Sequence, residues 1–319
     1  MTETKSLIMQ PLFSIIIPHY NIPDLLMRCL KSIPVTEDIQ VIVVDDNSPG
    51  AETYLDNYPE LSRPYLDFIQ TTKGGGAGYV RNIGMEHAKG KWLLFADADD
   101  LYVDGMYDIL CQWADSDADL VFFKIRSAMS DNLDQELSRM TYINDYINEY
   151  LSTGDERYVR LRHSVPWGKL CRRDFVASHG FLYDEVKYSN DYYFAVCIGY
   201  YARKIEVTET VLYIYTTRKG ALTESFNKKP GELAIRADVA FRIQKMFKEQ
   251  KIDIDQLITL RRYLLKLLKK DRPLFQHYWK RVDEVYPSKY VAFQILSKNK
   301  SLKFKIKLFL YSLWLWLRP

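Results

Sequence analysis

An α/β fold, with a mostly parallel central sheet flanked by helices and a helical C-terminal extension, is what the sequence predicts. Three observations carry this. Short apolar, β-branched runs alternate with helical patterns over residues 13–125. Those runs are apolar throughout, as strands covered on both faces are. From Pro230 onward the apolar spacing is helical in three segments, near 231–249, 254–269 and 273–285.

Each element follows from local pattern. FSIIIP (13–18) is a β-branched run that ends at a proline, and PDLLMRCLKSI (23–33) repeats apolar residues at helical spacing. IQVIVVDD (39–46) is a second buried strand, AETYLDNY (51–58) a short helix and PYLDFIQ (64–70) a third strand. After TTKGGGAG comes a helix over 79–88, then the strand KWLLFA. Further on, ADLVFFKI (118–125) reads as a strand and TYINDYINEYL (141–151) as a helix. VPWGKLCRRDFVASHG (165–180) reads as a loop entering a short helix. NDYYFAVCIGYYA (190–202) is a helix and KIEVTETVLYIYTT (204–217) a short strand pair.

In such sheets ligands bind beyond the C-terminal strand ends. Polar residues collect there: His19-Tyr20-Asn21, Asp45-Asp46-Asn47 and Asp97-Ala98-Asp99-Asp100. The last group is costly, since like charges at 4 Å repel by about 4 kcal/mol in a partly screened site. An acidic solvated turn is the plain account. A bound cation is the sharper one, because Mg²⁺ and Mn²⁺ take one or two carboxylates and complete their shell with water and phosphate oxygens. Gly74–Gly78 allows close backbone approach to a ligand at the start of a helix. It is neither a Walker A loop, lacking Lys-Ser/Thr, nor GxGxxG after a first strand. The DxD run also lacks the setting of the aspartyl-nucleophile phosphatases, which carry theirs after the first strand with Thr or Val where this chain has Leu101.

Four scattered cysteines, Cys29, Cys111, Cys171 and Cys197, show no zinc spacing and read as reduced thiols. The N-terminal MTETKSLIMQPLF does not read as a signal peptide. The formal net charge is +3, yet residues 251–319 hold 16 Lys/Arg against 5 Asp/Glu. Five lysines between 298 and 307 precede an apolar, Trp-bearing stretch (308–317) too short to span a bilayer. That combination fits an interfacial anchor on an anionic leaflet better than a docked terminal helix. No nucleic-acid partner is expected.

FSIIIPHYN, VIVVDDNS, GYVRNIGMEHAKGKWLLFADADD and YSNDYYF resemble, in order and spacing, the family-2 inverting glycosyltransferases of GT-A fold, of the bacterial surface-polysaccharide type. The resemblance implies a GT-A domain over 1–225 (donor half about 12–125, acceptor half about 126–225), a helical region over 226–297 and a membrane-associating tail over 298–319. It implies a nucleotide-sugar donor, UDP-sugar favoured, held by Mn²⁺ or Mg²⁺, and a glycan or lipid-linked acceptor. Pro18 and Tyr20 would line the nucleotide pocket, Asp46 would accept from the base, and Arg81 would contact the nucleotide. Asp97 would lie near ribose or metal, with Asp99 and Asp100 on metal and diphosphate. Asp191 would be the general base; the family often has Glu-Asp where this chain has Asn190-Asp191. Trp167, Glu185 and Asn190 would stand on the acceptor side, with His163 and His179 as further lining, and Arg218 and Lys219 would close over the diphosphate.

The implied setting is the cytoplasmic face of the cell membrane, with a homo-oligomer left open. Two rivals stand beside this reading. A sugar-phosphate nucleotidyltransferase would need a GxGxR loop where this chain has PHYN. A non-catalytic binding protein of the same fold would have no use for Asp97, Asp99, Arg81 and Asp191.

Overall fold

The computed structural model describes residues 10–218, 230–252 and 257–285, and the chain divides into two compact units on either side of Glu224 and Ser225. The first unit runs β1 (Phe13–His19), α1 (Pro23–Lys31), β2 (Ile39–Asp45), α2 (Tyr54–Asn57), β3 (Leu66–Gln70), α3 (Gly76–His87) and β4 (Trp92–Phe95). It continues with β5 (Leu101–Tyr102), α4 (Met106–Cys111), β6 (Leu120–Met129), β7 (Asn132–Glu136), α5 (Tyr142–Thr153) and α6 (Arg157–Arg162). It closes with β8 (Lys169–Arg172), α7 (Arg173–Ser178), α8 (Tyr192–Tyr201) and β9 (Ile205–Thr217).

One sheet joins the strands in the order β3-β2-β1-β4-β8-β6-β9-β5, with β7 paired to β6. Its first four strands are mutually parallel, with Ile16 opposite both Ile42 and Phe95. Successive residues of a strand face opposite sides of the sheet. Ile15, Ile17, Val41, Val43 and Leu94 therefore enter one core, while Ile16, Ile42, Val44, Leu93 and Phe95 enter the other. That is why the strands are apolar without alternation. Parallel alignment also brings the ends of β1, β2 and β4 to one edge, and the polar residues of the sequence stand there.

Two elements differ from the sequence expectation. Residues 169–172 are not loop but β8, an antiparallel strand between β4 and β6 that pairs Cys171 with both Leu93 and Leu120. Its four residues include Lys169 and Arg172, which hide any apolar signal. Residues 205–217 are a single strand and not a pair. Thr208-Glu209-Thr210, polar enough to suggest a turn, lie where the register with β6 moves from Phe122↔Val207 to Lys124↔Val211, two residues of β6 against four of β9.

The second unit contains α9 (Pro230–Glu249), α10 (Leu257–Lys270) and α11 (Arg272–Val285), where three helices were expected. They bury Leu233, Phe241, Leu264, Phe275 and Trp279 in a core of their own. Among the described residues, no helix is long and apolar enough to cross a membrane. The N-terminal residues 1–9, Lys219 and the basic 298–319 tail lie outside the described residues.

Candidate active site

The end of β1 is fixed by a buried polar knot. His19 Nε2 accepts from the Ile22 amide at 3.1 Å, so Nδ1 carries the proton and donates to Asp45 Oδ1 at 2.7 Å. Asp45 also accepts from the Ser48 amide and hydroxyl, both at 2.7 Å. Burial alone would raise the Asp45 pKa, but the bonds from His19 and Ser48 outweigh it and hold the carboxyl below its ordinary value. Ser48 Oγ in turn accepts from Asn21 N at 2.8 Å. The knot aims the next residues outward: Tyr20 is 57% exposed, and Pro18 and Asp46 are half-buried beside it. Asn21 and Asn47 hold φ of 52° and 59°, a left-handed conformation that asparagine tolerates better than most residues.

Asp46 stands where the sequence places it but has a partner not foreseen. Its two oxygens accept from the Gly75 and Gly76 amides at 2.7 and 2.9 Å, tying the glycine loop to β2. α3 then starts, and one of its faces (Gly78, Arg81, Asn82) is buried. A Cβ at Gly78 would lie 2.0 Å from the Asp184 carbonyl oxygen, so glycine is what allows this helix to touch the 183–190 loop. Asn82 donates to the Tyr183 carbonyl at 3.0 Å and accepts from its amide at 2.8 Å.

Arg81 links the two sides. Its guanidinium is buried, donates to Asp97 Oδ1 at 2.6 Å and to Asn190 Oδ1 at 2.9 Å, and lies 5.3 Å from the Tyr183 ring centroid. The sequence assigned Arg81 to the nucleotide; here it joins the acidic turn to the residue beside Asp191. Desolvation opposes the charge on this arginine, but Asp97 and neighbouring groups overcome that and raise its pKa.

The three acids of the turn have three different settings. Asp97 is paired with Arg81, and its side chain is 32% exposed. Asp99 faces Arg218 Nε at 3.3 Å, with its side chain 25% exposed. Burial and then repulsion from Asp97 raise the Asp99 pKa, against the pull of Arg218. Asp100 departs from the expectation that it meets a metal: it is buried, Oδ1 accepts from Thr216 N at 2.6 Å and Oδ2 from the Tyr213 hydroxyl at 2.9 Å. Its carboxyl is spent on holding β9, and burial followed by repulsion from Asp99 and Asp97 pushes its pKa well up. Among the described residues no three His, Cys, Asp or Glu side chains converge to hold a metal unaided. Asp97 and Asp99 still fit a divalent ion that draws its other oxygens from phosphate and water, the usual coordination of Mg²⁺.

Asp191 occupies the N-cap position of α8 and makes no side-chain capping bond, so its carboxylate is not consumed by the helix end. Desolvation raises its pKa, and Asp97 adds to this, while Arg81 and Lys169 pull the other way. Ser189, two residues earlier, holds φ of 56°, a strained state for serine of order 1 kcal/mol.

Trp167 is not an open acceptor platform. It is 2% exposed, its ring stacks on Tyr213 at 5.2 Å, and Nε1 donates to Asp97 Oδ2 at 3.3 Å. It therefore supports the turn from below. His163 is buried against Phe122, kept neutral by desolvation and the nearby Lys169 charge. His179 stacks on Phe181 at the end of α7, and Glu185 is exposed on the 183–190 loop. The sequence places His19 and Asp45 at the strand ends without giving them a role, and it does not mark Asn82 or Lys169. Lys169 is fully buried, donates to the His163 carbonyl at 2.8 Å, and has a pKa lowered by burial to about 8. The polar residues inside the first two motifs were a usable signal for His19 and Asp45; nothing local marks Lys169.

The model of glycosyl transferase family 2 matches residues 14–180, more than half of the chain. The chain belongs to glycosyltransferase family 2. Glycosyltransferase GlyG of Streptococcus pneumoniae is 26% identical over 230 residues, spanning 67% of this chain and 73% of its own. S. aureus TarS, solved as residues 1–349 in complex with UDP-GlcNAc, superposes with a TM-score of 0.62 at 19% identity, covering 90% of this chain and 84% of that one. The mannosyltransferase PcManGT of Pyrobaculum calidifontis, in complex with GDP-Man and Mn²⁺, gives a TM-score of 0.50 at 16% identity over 97% of this chain and 81% of its own. The family-2 chain thus has the GT-A fold, with its helical extension following the sheet unit.

Proposed function

We propose that this family-2 glycosyltransferase is metal-dependent and moves a sugar, with inversion, from a UDP-sugar to a hydroxyl of a glycan or lipid-linked acceptor in polysaccharide biosynthesis. The observation that carries the reading is the Arg81 bridge, which holds Asp97 and the neighbour of Asp191 on one guanidinium. A carboxylate pair for the donor and a separate carboxylate for the acceptor are what a single displacement needs. Relatives of known ligand add support: TarS was solved with UDP-GlcNAc and PcManGT with Mn²⁺.

Tyr20 offers an exposed ring to the base, with Pro18 and Asp46 at its side. Asp97 and Asp99 are the residues that would hold a divalent cation, and Arg218 lies within reach of the same diphosphate; Asp100 positions the turn. When bound, that cation would neutralise charge building on the departing diphosphate. Asp191 takes the proton of the acceptor hydroxyl. As that oxygen bonds to the anomeric carbon, the carbon–phosphate oxygen bond breaks on the opposite side and its electron pair leaves with the nucleoside diphosphate. Asn190 and Glu185 flank the acceptor approach. The domain limits of 1–225, 226–297 and 298–319, and a membrane-facing tail, belong to the same proposal.

Thermal-shift titrations with UDP, GDP, CDP and dTDP, each with and without Mn²⁺, test it on wild type and Asp99→Ala. The expected result is a UDP shift that needs both Mn²⁺ and Asp99, while Asp191→Asn retains the shift and loses transfer by about 10²–10⁴-fold. Absence of any nucleotide shift would favour the non-catalytic reading, and an active Asp191→Asn would place the base elsewhere.

A further inference from the structure

We propose that Arg28, on α1, is a positioning residue for donor and metal binding, acting by anchoring the backbone of Asp99. The inference rests on the reading above that Asp99 faces the metal. Arg28 lies outside every motif of the site, yet its guanidinium reaches three segments far along the chain, at Asp99, Ser130 and Thr216. Nη2 donates to the Asp99 carbonyl at 2.5 Å and lies 3.4 Å from Thr216 Oγ1. Nη1 donates to the Ser130 carbonyl and, at 3.0 Å, to Ser130 Oγ. One side chain thus joins α1, the acidic turn, the β6–β7 turn and the end of β9.

The Asp99 carbonyl explains why this matters. The turn is closed by the Asp100 amide donating to the Asp97 carbonyl at 3.0 Å, which leaves the carbonyl of Asp99 outside any helix or strand ladder. Such a group needs donors from elsewhere. It receives two: Arg28, and the Thr216 hydroxyl at 2.6 Å. The Arg28 bond is charge-assisted and about twice as strong as a neutral one. Fixing that carbonyl fixes the Asp99 Cα, and the direction of its carboxylate follows.

Arg81 and Arg218 meet the carboxylates of the turn, whereas Arg28 bonds to its main chain and occupies no carboxylate oxygen. A lysine cannot reproduce this arrangement, because a single ammonium lacks the planar fork that serves Asp99 and Ser130 together.

The test is an Mn²⁺ titration at saturating UDP, with GDP in parallel, read by calorimetry on the full chain for wild type, Asp99→Ala, Arg28→Lys, Arg28→Ala and Thr216→Val. Arg28→Lys and Arg28→Ala are expected to weaken Mn²⁺ binding by about 10-fold or more, since small displacements of positioned groups carry penalties of this order or larger. Millimolar ethylguanidinium, but not ethylammonium, should restore part of the loss in Arg28→Ala, a response that general destabilisation would not give. If the Arg28 variants do not fold, Thr216→Val reports on the other donor of the same carbonyl, with an expected weakening of about 3-fold, the worth of a modest hydrogen bond. Wild-type Mn²⁺ affinity in the folded Arg28 variants, or in Thr216→Val where they do not fold, would overturn the inference while Asp99→Ala remained defective. Wild-type affinity in Asp99→Ala, or no Mn²⁺ binding by the wild type, would overturn the site reading and this inference with it.

Discussion

The acidic turn at 97–100 and the loop at 183–190 face each other across Arg81, and they are held in opposite ways. The turn is gripped from behind and beneath: Tyr213, Thr216, Trp167 and Arg28 each bond to its backbone or carboxylates. The loop takes anchors from α3 at its two ends, Asn82 at Tyr183 and Arg81 at Asn190, while Glu185 and Lys187 between them are exposed. Under the proposed function, the turn places two carboxylates around a charged diphosphate, which calls for rigid backbone. The loop would meet a bulky acceptor, and its middle can stay open provided its ends deliver Asp191. The two regions therefore differ in what should happen when each support is removed.

Arg81→Met removes a side chain that bonds to both, and the largest effect is expected there. Asp97 loses its ion pair and Asn190 its donor at once. Breaking a buried pair typically costs about 3–5 kcal/mol, and the low end applies because Asp97 is partly open to water. Transfer should fall by about 10³-fold, beyond what positioning losses on one side alone bring, with both UDP–Mn²⁺ affinity and turnover affected. Calorimetry and an initial-rate assay separate the two; loss of turnover with normal donor affinity would show that the turn does not depend on Arg81.

Gly78→Ala strikes the loop and spares the turn. The added Cβ would meet a backbone carbonyl, Asp184 O, at 2.0 Å, which no side-chain rotation relieves. Displacing the loop is expected to cost about 1–3 kcal/mol in stability and about 10²-fold in turnover. UDP–Mn²⁺ affinity should stay within about 3-fold of wild type, below 1 kcal/mol. Equal losses in affinity and turnover would mean that the regions are mechanically one.

The same contrast governs what the sequence made legible. β1, β2 and β4 were readable because each is a continuous apolar run ending in polar residues, and the parallel sheet converts those ends into one edge. The positions of Asp97 and Asp99 after β4 and of Asp191 at the start of α8 follow from motif order; their roles belong to the proposal. Their partners could not be placed in this way. Arg28 reaches Asp99 across 71 residues and Thr216 across 188, and no local pattern encodes such pairings. For Trp167 the sequence leaves an acceptor-side ring and a core-filling one both open, because an indole in a glycine-bearing loop reads the same whether it faces solvent or stacks on Tyr213. The structure shows the second. β8 was missed because its cationic residues mask a strand whose pairing is decided by β4 and β6.

The pH dependence of turnover probes the loop side more gently. With Asp191 as the proposed base, transfer needs its carboxylate deprotonated, so the rate is expected to rise as pH passes through its pKa. Burial, with a contribution from Asp97, raises that pKa while Arg81 and Lys169 restrain it, so the acid limb should lie above the ordinary carboxylate range of about 4. Lys169→Met removes one restraining charge and should move the acid limb further up. A limb that stays in place would show that the Lys169 charge does not reach Asp191.

Asp100→Asn should have the smallest effect, and it sharpens the distinction within the turn. An amide has one acceptor oxygen, so Thr216 N and the Tyr213 hydroxyl cannot both keep their bonds, at a cost of about 1 kcal/mol. The native carboxyl carries an opposing penalty, because burial, then Asp99 and Asp97, push its pKa well up. A carboxyl that holds its proton more tightly when folded loses stability as pH rises from its unfolded value toward its folded one. Asparagine does not titrate. In EDTA, urea denaturation should therefore find the variant less stable by about 1 kcal/mol near pH 4, with the gap narrowing as pH is raised to about 8. A gap that widens instead would mean that Asp100 is charged in the folded protein at a net gain, and that the turn holds all three carboxylates as anions.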